Sequence, residues 1–258
     1  MISFSVVIPT YKRHNFLKRA LENVLQQESN ISEVLVVDDE KSEKCREIVH
    51  KLTINSHKIK IKYFQNESSQ GEYFAKNWVL KYATGEYIAF LDDDDFWSKD
   101  YLKNIESYIK NNLDGGIFVS NYFNYIDEKN FEDGKIIPKS FIINDYLIHN
   151  PGMLQSNIIV KKEAFDYVGG FDTSIPCADK DFFLKINLAK YKYVFVKERN
   201  VYYQIHGGRY SQNYYKLLKS KIIFYKKYFK YYNFSEHYRF FKFYLKLIIY
   251  LIKSKLKN

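Results

Sequence analysis

Two hydrophobic patterns alternate along the first part of the chain. Apolar runs bounded by polar residues occupy positions 4–8, where Ser5 is the one polar residue, and positions 34–37 and 87–91, and they are typical of buried strands. An alternating run at 59–63 indicates a further strand. Between these runs, apolar residues recur at helical spacing around 16–25, 45–52 and 73–81. Strands that alternate with helices predict an α/β fold, with a mostly parallel sheet flanked by helices.

Three of the predicted strands end in polar residues. The first is followed by Thr10 and Tyr11, the second by Asp38 and Asp39, and the last by aspartates at 92–95. Ligands of parallel α/β sheets bind beyond the carboxyl ends of the strands. We therefore expect these three strand ends to meet in one crevice.

The aspartate run is the most unusual feature of the pattern. Adjacent carboxylates repel one another, so the run is costly unless a positive group occupies it, and hard divalent cations prefer oxygen ligands. The alternative is a solvated acidic turn that caps the next helix, a role that one aspartate or Ser98 would fill. The run by itself leaves both interpretations open.

Composition and charge narrow the class of protein. The 258 residues are 46% hydrophobic and 19% aromatic, which predicts a globular chain with a full core. The net charge of +10 is concentrated at one end, because the last 50 residues hold 13 of the 40 basic and one of the 30 acidic residues. The first 208 residues are slightly acidic, which argues against a nucleic-acid enzyme. Cys45 and Cys177 share no metal-ligand spacing and predict a reducing, cytoplasmic location.

The C-terminal tail combines cations with aromatic residues. Its basic side chains repeat at intervals of three, four and seven residues, and the other faces carry Phe, Tyr, Leu and Ile. This pattern favours helices that lie peripherally on an anionic membrane. The alternative is a helical pair packed on the preceding domain. The longest late apolar run, 247–252, is far shorter than the roughly 20 residues of a membrane span.

The ordered set of motifs resembles the family 2 glycosyltransferases with the GT-A fold. The resemblance covers residues 3–210, and its specificity lies in the order and spacing of segments at 6–11, 36–39, 71–77, 83–95, 169–172 and 178–182. It implies a GT-A (Rossmann-like) fold in which residues 1–110 form the nucleotide-sugar-binding half. Residues 111–210 would form the acceptor-binding and catalytic half, and residues 211–258 a basic-aromatic helical tail.

The resemblance also implies roles for individual residues. The metal, Mn²⁺ or Mg²⁺, would be bound by Asp92, Asp94 and His206, with Asp93 and Asp95 as possible substitutes. Lys76 stands where many relatives have Arg, which keeps the charge but loses the planar fork. The residues expected to bind the nucleotide-sugar donor are Pro9, Thr10, Tyr11, Asp38, Asp39, Lys76, Asp92, Asp93 and Arg209.

The resemblance implies that Asp179 is the catalytic base. A base on the face opposite the departing diphosphate would take the proton of the acceptor hydroxyl, which typically contributes about 10² to 10⁴ in rate. The family has Glu where this chain has Ala178, so Asp181 is the alternative base. Both aspartates are also explained by a favourable interaction with a helix N-terminus.

The expected function is therefore an inverting, metal-dependent transfer of a sugar from a nucleoside-diphosphate donor, with UDP expected. The acceptor would be a glycan or lipid-linked glycan of surface polysaccharide, lipooligosaccharide or glycoprotein biosynthesis, at the cytoplasmic face of the inner membrane. A sugar-nucleotide nucleotidyltransferase is an alternative, although residues 9–13 lack the glycines of its phosphate loop. The other alternative is an inactive, membrane-bound glycan-binding or scaffold protein.

Overall fold

The computed structural model of the chain describes residues 1–56, 58–66, 70–148, 150–206 and 214–255. The strands are β1 Phe4–Thr10, β2 Ile31–Asp38, β3 Lys60–Gln65, β4 Tyr87–Phe90, β5 Phe96–Trp97, β6 Gly115–Asp127, β7 Asn130–Asp133, β8 Ile158–Lys161 and β9 Lys192–Gln204. The α-helices are α1 His14–Leu25, α2 Glu43–Asn55, α3 Glu72–Leu80, α4 Tyr101–Asn111, α5 Ile143–Ile148, α6 Lys162–Tyr167, α7 Ala178–Leu188, α8 Tyr214–Lys227 and α9 Phe234–Lys255. Short 3₁₀ helices cover Gln155–Asn157 and Phe229–Tyr231.

The strands form one mixed sheet in the order β3-β2-β1-β4-β8-β6-β9-β5, and β7 pairs with the outer part of β6. The first four strands are parallel, as the alternation of strands and helices predicts. The second half departs from that pattern, because β8 runs antiparallel to both β4 and β6, and β5 runs antiparallel to β9. The long strands β6 and β9 are parallel to each other. The α/β class is confirmed.

The core explains why the parallel strands are continuously apolar. Nearly every residue of β1, β2 and β4 is buried, since helices cover both faces of this part of the sheet. On α1 the buried residues are Leu17, Ala20, Leu21 and Val24, which form one helical stripe. Polar residues follow these strands directly, so the sheet presents its polar ends at one edge.

The C-terminal tail is helical and its first part packs on the domain. Phe224 of α8 is buried, and so are Tyr228 and Tyr232 beyond the helix. Helix α9 differs, because several of its large apolar side chains are exposed, namely Phe234, Tyr238, Phe241 and Leu245. No helix in the described part of the chain is long and apolar enough to cross a membrane.

Candidate active site

The three polar strand ends meet, as the sequence predicts. Thr10 at the end of β1 lies opposite Asp38 at the end of β2 in the sheet register. The Thr10 hydroxyl donates a hydrogen bond to Asp93 Oδ2 at 2.9 Å, which ties β1 to the aspartate run. The backbone N–H of Asp39 donates to the Thr10 carbonyl at 3.0 Å. The crevice is therefore built from parallel strands that end at the same level.

Arg13 compensates the charge of the aspartate run. Its Nη1 lies 3.2 Å from Asp93 Oδ1 and 2.8 Å from Asp94 Oδ2, and both carboxylates are almost completely buried. Burial raises the pKa of Asp93 to about 7, against the opposing effects of the Thr10 hydroxyl and Arg13. The loop that carries Arg13 includes Lys12 at φ 58°, a left-handed conformation that is unfavourable for a side chain with a Cβ.

Asp94 has two further partners. His206 Nε2 lies 2.7 Å from Asp94 Oδ2, which brings the predicted histidine to the aspartate run from the end of β9. Arg19 of α1 donates to the main-chain carbonyl of Asp94 at 2.5 Å and to Gln204 Oε1 at 3.0 Å. The position of Asp94 is thus fixed by elements that are distant from it in sequence.

The aspartate run offers a set of oxygen ligands that could hold a divalent cation. One carboxylate oxygen each of Asp92, Asp94 and Asp95 can be chosen so that all three lie within 4.8 Å of one another. Asp95 is the weakest of the three, because Oδ1 accepts from the Gln204 N–H and Oδ2 accepts from the Ser156 hydroxyl. Asp92 is partly exposed and Asp94 is already beside His206. Carboxylate and imidazole donors suit Mn²⁺, and carboxylates suit Mg²⁺.

Lys76 lies beneath Asp92 rather than in the open crevice. Its side chain is fully buried, and its ammonium contacts Asp92 Oδ1 at 3.2 Å together with Glu72 and the Gln155 side chain. Burial lowers the pKa of Lys76, but the nearby charges of Asp92 and Glu72 outweigh that effect and raise it. Lys76 can therefore act on a ligand through the placement of Asp92.

The carboxylate of Asp38 accepts hydrogen bonds from the loop that follows it and from Tyr63 of β3. Oδ1 accepts from the Glu40 N–H at 2.9 Å, and Oδ2 accepts from the Ser42 N–H at 2.9 Å and from the Tyr63 hydroxyl at 2.7 Å. Asp39 is half-buried and accepts from the Asn66 side chain at 2.5 Å. Pro9 is half-buried at the same edge, whereas Tyr11 is 51% exposed.

Asp179 lies in the first turn of α7 and shares its surroundings with Asp92. Burial raises the pKa of Asp179, and the backbone N–H of Lys180 and the charge of Lys76 oppose that shift. Burial also raises the pKa of Tyr73, and the charges of Asp179 and Asp92 raise it further. A carboxylate with a raised pKa beside the aspartate run has the properties of a general base.

The motif at 169–172 helps to place α7. The Asn77 side chain donates to the Phe171 carbonyl at 2.7 Å and accepts from the Phe171 N–H at 2.9 Å. Gly170 has φ 64°, and a Cβ at this position would lie 2.5 Å from Asn77 Oδ1. Asn77 therefore fastens this turn to α3, just ahead of the helix that carries Asp179.

Asp181, the alternative base, faces the tail instead. It is fully buried, and its Oδ1 accepts from the Tyr228 hydroxyl at 2.6 Å and pairs with Lys227 at 2.5 Å. Its Oδ2 has Lys185 at 3.7 Å and no hydrogen bond within the described residues. This environment binds α7 to α8 and leaves Asp181 little access to an acceptor. Arg209 lies outside the described residues.

Three further residues enter the site that the sequence motifs had not singled out. Arg13 and Arg19 supply positive charge to the aspartate run, and Gln155 contacts Lys76. Arg13 lies three residues after the end of the first strand, and that position could have identified it. No local pattern marks Arg19 or Gln155, because their contacts depend on how α1 and the segment before β8 pack.

Comparison with known proteins identifies the family of the chain. A family model described as glycosyl transferase family 2 matches residues 5–169. The chain belongs to glycosyltransferase family 2. Over 220 residues it is 30% identical to the Escherichia coli UDP-Glc:alpha-D-GlcNAc-diphosphoundecaprenol beta-1,3-glucosyltransferase WfaP, covering 83% of this chain and 82% of WfaP.

Solved structures support the GT-A fold of this family 2 chain. The S. aureus TarS structure in complex with UDP-GlcNAc has a TM-score of 0.64 at 22% identity, over 83% of this chain and 62% of that chain. The mannosyltransferase PcManGT from Pyrobaculum calidifontis, in complex with GDP-Man and Mn²⁺, has a TM-score of 0.68 at 17% identity, over 88% of this chain and 64% of that one. At these identities the likeness extends to the fold alone.

Proposed function

We propose that this family 2 chain transfers a sugar, with inversion, from a nucleoside-diphosphate donor to a hydroxyl of a lipid-linked glycan. The donor we propose is a UDP-sugar. The observation that carries the proposal is the cluster of Asp92, Asp94 and Asp95, whose oxygens can lie within 4.8 Å of one another. Asp179 is near this cluster, since the charge of Lys76, which contacts Asp92, also acts on Asp179. The names of relatives such as WfaP support a UDP-sugar donor and a diphosphoundecaprenol-linked acceptor.

In this mechanism the acceptor oxygen attacks the anomeric carbon while the bond from that carbon to the β-phosphate oxygen breaks. Asp179 takes the proton of the acceptor hydroxyl, and the nucleoside diphosphate leaves with the electron pair of the broken bond. A divalent cation held by Asp92 and Asp94, with His206 beside them, would supply positive charge for the diphosphate. Arg13 and Lys76 keep the carboxylates in place.

The nucleoside would bind at the ends of β1 and β2. Pro9, Thr10 and Tyr11 provide one wall, and Asp38 shapes the adjoining turn through its own hydrogen bonds. Asp39 is the more exposed of the two carboxylates and is suited to meet the base or ribose directly. Asp93 accepts a hydrogen bond from Thr10 and would connect this region to the diphosphate. Arg209 retains its proposed contact with the phosphates.

The test is a transfer assay with the purified full chain, a panel of UDP-, GDP- and TDP-sugars, and a lipid-diphosphate-linked N-acetylglucosamine acceptor. We expect transfer that needs Mn²⁺ or Mg²⁺ and stops with EDTA, and a product whose anomeric configuration, read by NMR, is inverted. Pyrophosphate release from a nucleoside triphosphate and a sugar phosphate would instead indicate a nucleotidyltransferase. A folded chain that neither transfers nor hydrolyses any donor would favour a glycan-binding or scaffold protein.

Asp179→Asn tests the base. Transfer should fall by about 10² or more, because the proton acceptor is lost, while donor binding measured by calorimetry stays near the wild-type value. Asp166→Asn, at an exposed position on α6, is the matched control and should be fully active. Wild-type turnover by the Asp179 variant would remove the residue from the mechanism.

We also propose that the tail holds the enzyme on the cytoplasmic face of the inner membrane, where a lipid-linked acceptor would be found. The specific observation is the exposed face of α9, on which Phe234, Tyr238, Phe241 and Leu245 recur at helical spacing. Apolar side chains on one helix face, together with lysines, suit the interface of an anionic membrane.

A further inference from the structure

A second concave surface lies outside the proposed donor crevice. It is an open groove of about 530 Å³ between α1, the hairpin β6–β7, the edge strand β5 and its neighbour β9. The volume falls within the range of small-molecule sites, about 300–1,000 Å³. Four aromatic residues and two carboxylates define its character, namely Phe96, Tyr125, Phe131, Tyr202, Glu22 and Glu128. None of these six residues has a part in the proposed transfer.

The aromatic residues form one continuous, interlocked wall. The Phe96 and Tyr202 rings stack with centroids 4.7 Å apart and planes 4° apart, and Tyr125 meets Phe96 edge-on at 4.9 Å. Phe131 packs edge-on against Tyr202 at 6.2 Å and is still 51% exposed. The rings come from paired strands, so the wall is preformed rather than assembled around a ligand.

The rim of the groove is polar and acidic. Glu128 on the hairpin is exposed, and the side chain of Glu22 on α1 is 46% exposed. Carboxylates accept hydrogen bonds from hydroxyl groups, and they repel anionic ligands. An aromatic face beside such acceptors matches a pyranose, whose C–H face packs on a ring while its hydroxyls reach the rim. Among the lining residues the two carboxylates outnumber the single cation, Arg19, and this balance disfavours a phosphate or nucleotide.

The groove lies directly behind the aspartate run. Arg19 lines it, with its guanidinium 5.0 Å from the Phe96 ring centroid, and the same side chain donates to the Asp94 carbonyl. Gln204 makes a second link, since its N–H donates to Asp95 and its side-chain amide donates to the Ile126 carbonyl of the hairpin. Arg19 and Gln204 therefore connect the groove to the aspartate run.

We propose that this groove is a saccharide-binding site that takes a neutral pyranose unit of a glycan, separate from the donor crevice. The choice of a glycan as occupant rests on the proposed function, because a glycan transferase encounters such chains as acceptor or product. The site would retain the glycan near the crevice without contacting the reacting atoms.

Binding is tested by ligand-observed saturation-transfer NMR on the full chain with UDP and Mn²⁺ present. The probes are methyl β-glucoside, methyl β-N-acetylglucosaminide, cellotriose and chitotriose. We expect saturation transfer to at least one of them. Phe131→Ala should weaken its binding by about 3- to 10-fold through loss of the stacking surface, and Glu128→Gln by a smaller factor. Tyr167→Ala, which removes a 73% exposed aromatic residue on α6, is the matched control.

Donor hydrolysis separates this proposal from the proposed function. Phe131→Ala should hydrolyse the nucleotide sugar at the wild-type rate, because Phe131 has no part in the proposed transfer. The groove proposal is overturned if no probe shows saturation transfer, or if binding is equal in the wild type and in both Phe131→Ala and Tyr125→Ala. Absence of donor hydrolysis and transfer would count against the proposed function only, since saccharide binding is measured independently.

Discussion

At the scale of single residues, the site depends on cations that neutralise buried carboxylates. Arg13 is the clearest case, because one guanidinium nitrogen contacts both Asp93 and Asp94. Removing one partner of a buried ion pair is costly, since the other charge remains away from water. The Arg13 side chain is 34% exposed, so solvent screening reduces that cost.

Arg13→Met should therefore lower the free energy of unfolding by about 1–2 kcal/mol in EDTA, seen as a lower Tm by scanning calorimetry. Adding Mn²⁺ should raise the Tm of the variant more than that of the wild type, because the cation replaces the lost charge. Lys12→Met, the neighbouring exposed position, is the control. Equal Tm values for Arg13→Met and the wild type in EDTA would contradict this role.

The buried Lys180 predicts how the stability of the fold depends on pH. Burial lowers its pKa to about 8, and its ammonium lies 4.2 Å from the Phe224 ring centroid and donates to the Leu147 carbonyl. Below pH 8 the lysine is charged in both the folded and the unfolded state, so the folded state bears the full cost of burying the charge. Between about pH 8 and the ordinary lysine pKa near 10.4, only the unfolded state stays charged, and that cost disappears.

The Tm difference between Lys180→Met and the wild type should therefore shift in favour of the wild type as pH rises from about 7 to about 10. Scanning fluorimetry at the two pH values measures it. Lys226→Met, at an exposed position in α8, should show the same Tm difference from the wild type at both pH values. If the Tm difference between Lys180→Met and the wild type does not change with pH, burial does not disfavour the charge of Lys180.

At the scale of elements, α7 connects the proposed base to the tail. Asp179 is in its first turn. Asp181, two residues later, is held by Lys227 at the end of α8 and by Tyr228, the residue after that helix. Lys227 also pairs with Asp172 at 2.7 Å, just ahead of α7. The end of α8 thus supports the helix that carries the proposed base.

Tyr228→Phe removes the hydroxyl that donates to Asp181 and leaves a buried carboxylate with fewer partners. The expected cost is about 1–3 kcal/mol in the free energy of unfolding, with a lower kcat for transfer and an unchanged KM for the donor. Urea unfolding and steady-state kinetics check the two parts. Tyr231→Phe, on the adjacent 3₁₀ turn at 36% exposure, should change neither quantity. Unchanged stability in Tyr228→Phe would show that the tail does not support α7.

At the scale of the whole molecule, the two tail helices differ in what they contact. Phe224 of α8 belongs to the core, so a chain cut near Arg209 would lose Phe224 and the partners of Asp181 and would expose the core surface that they cover. Substitution within α9 is the cleaner test of membrane contact, because Phe234 and Phe241 are 89% and 62% exposed.

Replacing Phe234 and Phe241 by Ser should reduce recovery with phosphatidylglycerol vesicles in a flotation assay, because apolar area at the interface drives binding. Phosphatidylcholine vesicles should recover less of the wild type, since the lysines would lose their anionic partners. A double Ser variant at Tyr82 and Tyr167, which are exposed elsewhere, should float like the wild type. Equal flotation of all three proteins would eliminate the α9 membrane contact.

The sequence by itself determined the class of fold and the site motifs. Apolar runs such as Val34–Val37 must be buried on both faces, and this local requirement already implies parallel strands with covering helices. The order of motifs then identified the family, and the polar residues after β1, β2 and β4 predicted a shared crevice. These inferences succeeded because each rests on residues that are neighbours in the chain.

Only the tertiary structure decided how the charges are balanced and which groups are shared between elements. Arg13 and His206 approach Asp94 from opposite ends of the chain, and Asp181 is distinguished from Asp179 by its contact with α8. The antiparallel strand β8 and the aromatic groove at the β6–β7 hairpin likewise come from pairings between distant segments. Periodicity records which side of an element is buried, whereas the identity of the partner depends on long-range packing that no local pattern encodes.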